Sequence, residues 1–123
     1  MNREIKFKAK RKDNNEWTYG YLEKQAVKGE EYYITSPCNE WINNCHIVIP
    51  ETISQYTGLK DKNGVEIYEN DKVKYDYEFS TEIGVITYNQ NNASYQIKGI
   101  SSSSMKHHKQ LIVIGNIFDK GVE

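Results

Sequence analysis

Five side chains in this sequence have the chemistry to hold a metal or attack a carbon centre: Cys38, Cys45, His46, His107 and His108. Thiolate and neutral imidazole are the ordinary ligands of zinc, but a structural zinc site usually opens with two cysteines in close C-x2-C spacing. The spacing here is C-x6-C-H, and His107-His108 lies about sixty residues further on in a serine-rich stretch. The expectation is therefore no metal and no cofactor, with buried or merely exposed cysteines and a solvated histidine pair. Nucleophilic catalysis needs a base, a group that orients it and donors for an oxyanion, whereas Cys45 and His46, adjacent on a strand, would face opposite sides of a sheet. Serines 101 to 104 lack a Gly-x-Ser-x-Gly setting. The carboxylates Glu66, Glu69, Asp71, Asp76, Glu78 and Glu82 alternate with Lys and Tyr as solvated strand faces do. No acid, base and stabiliser converge, and the reading is that the protein is not an enzyme.

Binding chemistry has more to work with. Lys6, Lys8, Lys10, Arg11 and Lys12 form a basic row, and Tyr19, Tyr21 and Trp41 could serve as stacking platforms for nucleic acid. The competing reading makes the lysines guards of an edge strand and the aromatics part of the core. A net charge of −1 and a pI near 6.3 weigh against phosphate binding by the molecule as a whole. Sheet edges and a tyrosine-rich surface suit a protein partner or a second copy of the chain, and this class ranks first by exclusion.

What must position these residues is a β framework. The chain has 14 Ile and 7 Val against 3 Leu and 3 Ala, with 10 Tyr, a set that suits a pleated, half-buried surface. Its 123 residues fit one domain, 1–123, able to bury a core without staples, with a soft seam near 50–58. Two cysteines are too few for a secreted disulfide scaffold, and no window approaches a membrane span; a cytoplasmic protein is expected.

Along the chain, "EIKFKAK" alternates strictly, with Ile5, Phe7 and Ala9 on one face and Lys6, Lys8 and Lys10 on an outer one. "KDNNE" is a turn, and "WTYGYL" returns as the second strand of a hairpin with Trp17, Tyr19 and Tyr21 on one face. "EKQAVKGE" could hold a helical turn, "YYIT" and "CHIVIP" read as strands, "SPCNEWINN" as a loop and "ETISQY" as a strand or short helical turn. Asn63-Gly64 signals a tight hairpin turn with positive φ. "DKVKYDY", "TEIGVITY" and "ASYQIKGI" form a meander, "SSSSMKHHK" is a loop, and "LIVIGNIF" suits a central or barrel-closing strand with a bulge at Gly115.

Three blocks, "REIKFKAK", "QYTGLKDKNGVEIYENDKVKY" and "VIGNIF", resemble in order the YopX-like family of small phage and prophage proteins. Members of that family carry Gly in a Y-E-G-D step where this chain has Asn70, the residue type best able to replace glycine in a left-handed turn. The resemblance marks Asn63, Gly64, Asn70 and Asp71 as a structural turn signature, with Asp71 pinning the turn by bonds to nearby backbone N–H groups. It implies a mainly-β fold in which an N-terminal β-hairpin unit packs on a C-terminal SH3-like small barrel. It also implies a phage-associated accessory role through a host or phage protein, with nucleic-acid binding as the alternative, and names no activity.

Overall fold

Period-two alternation governs most of the chain. A computed structural model describes residues 5–25, 31–35, 45–77, 79–91, 93–98, 103–104 and 110–119. Among them the strands are β1 (Phe7–Lys10), β2 (Trp17–Gln25), β3 (Glu31–Thr35), β4 (Cys45–Ile47), β5 (Ser54–Lys60), β6 (Glu66–Tyr68), β7 (Asp71–Tyr77), β8 (Ser80–Asn89), β9 (Ser94–Lys98), β10 (Ser103–Ser104) and β11 (Ile112–Asn116). A 3-10 turn lies at Pro50–Thr52, and among the described residues no helix is long and apolar enough to cross a membrane. The fold is mainly β, built as two antiparallel sheets, and the chain divides into compact units Met1–Tyr56 and Thr57–Glu123. The loop expected over 36–44, residues 26–30 of the expected helical turn, and most of the serine-rich stretch lie outside the described residues.

In the first unit the strand order is β4-β3-β2-β1-β5. The expected β1–β2 hairpin forms, with Phe7 opposite Gly20 and Lys10 opposite Trp17. The segment expected as strand or helical turn divides into both: Pro50, with its fixed φ, opens the 3-10 turn, and β5 follows from Ser54. The expected basic outer edge is corrected, because β1 has neighbours on both sides. Phe7 and Lys8 pair with Gln55 and Ser54 of β5, and past them Ile49 N–H donates to Lys10 O at 2.9 Å while Lys12 N–H donates to Ile47 O at 2.9 Å. Lys10 N–H also donates to the Thr52 hydroxyl at 2.9 Å, which itself donates to Ile49 O at 2.7 Å. The apolar side of the sheet packs Ala9, Ile34 and Val48 with Phe7, Leu22, Tyr32 and Ile53 against them.

In the second unit β5 continues beside β6, where the Thr57 hydroxyl donates to Ile67 O at 2.7 Å. The second sheet runs β10-β9-β8-β7-β11, so the expected meander forms as β7, β8 and β9. The most apolar segment, expected as a central or barrel-closing strand, is not central but the outer strand β11 beside β7, and the register shifts between Val113 and Gly115 as the bulge reading requires. Ile67, Val73, Ile86, Ile97 and Leu111 form the core. Gly84 is needed there for space: a Cβ would stand 2.5 Å from an Ile97 methyl, 3.2 Å from Lys98 O and 3.3 Å from the Tyr75 ring.

Two buried carboxylates hold this unit's turns. Asp71 is fully buried; one oxygen accepts from Tyr68 N–H at 2.8 Å and the other from the Asn116 side-chain amide at 2.9 Å. Asn70 has φ of 71°, the left-handed conformation its type predicts, and its N–H donates to Ile86 O at 2.8 Å. Asp61, which the sequence reading passed over, accepts with one oxygen from Asn63 and Val65 N–H at 2.8 and 2.9 Å, and with the other from Val113 N–H at 2.8 Å. The Asn63-Gly64 turn differs from the tight form expected. Asp61 N–H bonds Val65 O and Gly64 N–H bonds Asp61 O, and of residues 62–64 only Gly64, at φ 80°, is left-handed. That is a three-residue loop closed by a glycine rather than a two-residue one.

Removing a buried carboxylate strands its donors, so Asp71→Ala is expected to lower stability by about 3 kcal/mol. Gly84→Ala is expected to lower it by about 1–3 kcal/mol through overpacking. Urea unfolding checks both; a variant with an unchanged midpoint would remove the role given to that residue.

Candidate interaction face

Strand alternation gathers one side of the first sheet into an aromatic and basic face. Lys8 opposite Tyr19 and Lys10 opposite Trp17 place the lysines of β1 and the aromatics of β2 together, and Tyr33 joins them through its pairing with Glu23. Lys8 Nζ lies 4.7 Å and Lys10 Nζ 5.6 Å from the centre of the Trp17 ring. Lys6 Nζ lies 5.1 Å from the centre of the Tyr56 ring. Stacking of this kind lets the aliphatic stems be buried while the ring's π-cloud faces the ammonium.

The five expected cations are therefore not an open row. Lys8 and Lys10 are only 7% and 4% exposed, whereas Ile5, expected on the inner face, is largely exposed. Sequence alternation identified which residues share a face but not which face is covered. Arg11 engages Asp13 with two bonds, Nε to Oδ1 at 3.0 Å and Nη2 to Oδ2 at 2.7 Å, and Lys12 is exposed. Of the expected stacking residues, Tyr19 and Tyr21 are 46% and 59% exposed, and Trp41 lies outside the described residues. Both tyrosines sit on β2, held between β1 and β3.

The remaining chemistry is dispersed. Cys45 and His46 pair with Thr35 and Ile34, so they alternate across the strand as expected, while Cys38, His107 and His108 lie outside the described residues. An open cleft of about 370 Å³ is lined by Lys12, Asp13, Cys45, His46 and Ile47. Among the described residues no three His, Cys, Asp or Glu side chains group as metal ligands, and no buried side-chain nitrogen or oxygen lacks a hydrogen-bond partner. The carboxylates take local partners: Glu66 accepts from Tyr68 at 3.1 Å, Asp76 from Thr81 at 3.1 Å and Glu82 from Ser80 at 2.8 Å. Tyr33 donates to Glu31 at 2.9 Å, which pushes its phenol above the usual tyrosine range.

The family model described as YopX protein matches residues 4–121, taking in the central and C-terminal blocks entirely and the N-terminal block from its second residue. No curated protein matches the chain.

The hydrogen bonds from Arg11 hold the Asp13 carboxyl below the usual carboxylate range. A depressed folded value means that the contribution to stability is present above the ordinary aspartate range and is lost as pH falls through the folded value. Arg11→Gln is expected to return Asp13 to the ordinary range, as read by NMR titration of its side-chain carbon; an unmoved titration would separate the shift from Arg11.

Proposed function

The chain belongs to the YopX family, and on that footing we propose that it is a non-enzymatic, phage- or prophage-associated accessory protein that binds another protein in the host cytoplasm. The observation that carries this reading is the exchange of roles on the first sheet: Tyr19 and Tyr21 are presented, while Lys8 and Lys10 are buried against Trp17. Buried ammonium groups cannot neutralise phosphates and release counterions, which weakens the case for nucleic acid. Tyrosines held on the middle of a strand are rigid amphipathic anchors of the kind that dominate protein interfaces. The alternative reading, a nucleic-acid-binding small β protein, rests on Lys6, Lys12 and the same two tyrosines.

In the second unit, the placement of β11 beside β7 at the start of a meander supports the SH3-like small barrel. A fold of that kind hosts many functions and does not choose among partners.

Recovery of a stoichiometric protein from host extract on the tagged chain is expected, and Tyr19→Ala with Tyr21→Ala is expected to weaken its capture at least about ten-fold. Both sites are exposed, so unfolding stability should stay within about 1 kcal/mol of the parent. Retention of the partner by the double variant would count against this face. A salt-sensitive shift of DNA or RNA, abolished by Lys6→Glu with Lys12→Glu, would favour the alternative instead.

A further inference from the structure

We propose that the chain associates head to tail with a second copy of itself, the Phe79 tip of one copy entering the cleft beside Lys12 and His46 of the next. Turn chemistry marks the tip. Turns elsewhere in the chain carry residues that bend easily: Asn14-Asn15 between β1 and β2, Asn63-Gly64 between β5 and β6, Asn70 between β6 and β7, and Asn91 between β8 and β9. Tyr77 of β7 pairs with Ser80 of β8, so the loop between these strands is Glu78-Phe79 alone. Two-residue loops are made most readily by Asn-Gly or Asp-Gly, and neither residue here eases the bend. Phe79 is fully exposed and adds nothing to the core. A position that breaks a local folding rule with no gain in packing is where a role outside folding is expected.

The end of this hairpin stands clear of the core. Among the described side chains, the last of β7 packed there is Tyr75 and the first of β8 is Ile86, while Asp76, Ser80, Thr81 and Ile83 are exposed with Phe79. The tip is also acidic, since "YDYEFSTE", residues 75–82, holds three acids and no base. Asp76 and Glu82 accept from the hydroxyls of Thr81 and Ser80 at 3.1 and 2.8 Å, which orients both carboxylates without neutralising them. Neither has an ion pair among the described residues. Such a tip fits an apolar recess with a cation at its rim, and the first unit supplies one. The open cleft of about 370 Å³ has Ile47 and the Cys45 thiol for apolar contact, beside His46, Lys12 and Asp13. A cavity of about 150 Å³ already takes benzene, so the Phe79 ring has room. Asp13 is neutralised by its two bonds from Arg11, whereas Lys12 is exposed and has no ion pair among the described residues. An unmatched cation beside an apolar recess thus meets unmatched carboxylates beside an apolar ring. Nucleic acid and anionic lipid fit the tip poorly, because its three carboxylates repel both. A contact between different surfaces of identical copies is heterologous, and it propagates into a ring or a filament rather than stopping at two.

Sedimentation of the full chain over a concentration series at low salt is expected to show a mean mass that rises past that of two copies. Phe79→Ser, and separately Lys12→Glu, should each weaken association at least about ten-fold while leaving the urea midpoint unchanged, since both positions are exposed. Each variant keeps one half of the contact, so an equal mixture of the two should form a one-to-one pair and grow no further. Asp76→Lys with Glu82→Lys should restore association to the Lys12→Glu chain by reversing both sides of the charge match. Tyr19→Ala with Tyr21→Ala should associate as the parent does, which keeps a failure here distinct from a failure of the first-sheet reading. A parent that stays monomeric at every concentration, association that survives Phe79→Ser or Lys12→Glu, or a mixture that does not pair would overturn the proposal. So would Phe79-dependent binding of a monomeric parent to phosphatidylcholine vesicles, which would assign the tip to a lipid surface.

Discussion

A carboxylate sealed from water must find hydrogen-bond donors, and in the second unit this requirement determines which segments can meet. Asp61 and Asp71 are both buried, and each uses one oxygen on the turn it sits in and the other on the strand β11 or its end. The core of Ile67, Val73, Ile86, Ile97 and Leu111 supplies the non-directional part of the stability. The carboxylates supply direction, because a slip of β11 by one residue would face Val113 N–H away from Asp61 and cost a buried charge its partner. Lys62 N–H bonds Leu111 O beside this contact, so part of the outward side of β11 is already occupied. An outer strand whose free groups are met by a loop is protected from pairing with a stranger.

The first unit solves a different problem, that of bringing lysines into a sheet interior. Trp17 receives the ammonium groups of Lys8 and Lys10 on the face opposite Ala9, Ile34 and Val48, so both sides of β1 are covered. What is left outward is phenolic rather than cationic, and this sets the chemistry available to a partner. The hydroxyl ends of Tyr19 and Tyr21 can bond while their rings bury area, with little rotamer freedom to lose.

How much of this the sequence discloses depends on the range of the interaction. Local features were legible: the left-handed Asn70, the Asp71 bond to Tyr68 N–H, the β1–β2 hairpin, the bulge near Gly115 and the alternation of Cys45 with His46. These depend on neighbours a few residues away. Interior placement of β1 depends on pairing with Ser54 and Gln55, and the outer placement of β11 on which strand it meets; neither leaves a local mark. Hence the lysines of β1 read as a surface row. Asp61 was missed although a signal existed, since Asp two residues before Asn-Gly is a ready Asx-turn former.

The distances in sequence between the carboxylates and their far donors set an order in time. Asp61 waits for Val113, 52 residues later, and Asp71 for Asn116, 45 residues later. As the chain emerges from a ribosome at about 5–20 residues per second, the turns around Asn63 and Asn70 exist for seconds before β11 arrives to complete them. Loop closure over such spans must precede the contacts that reward it. The second unit therefore finishes folding only when its last strand is made, and a chain cut short before Val113 would keep the turn bonds of both aspartates but lose the donors that Val113 and Asn116 supply.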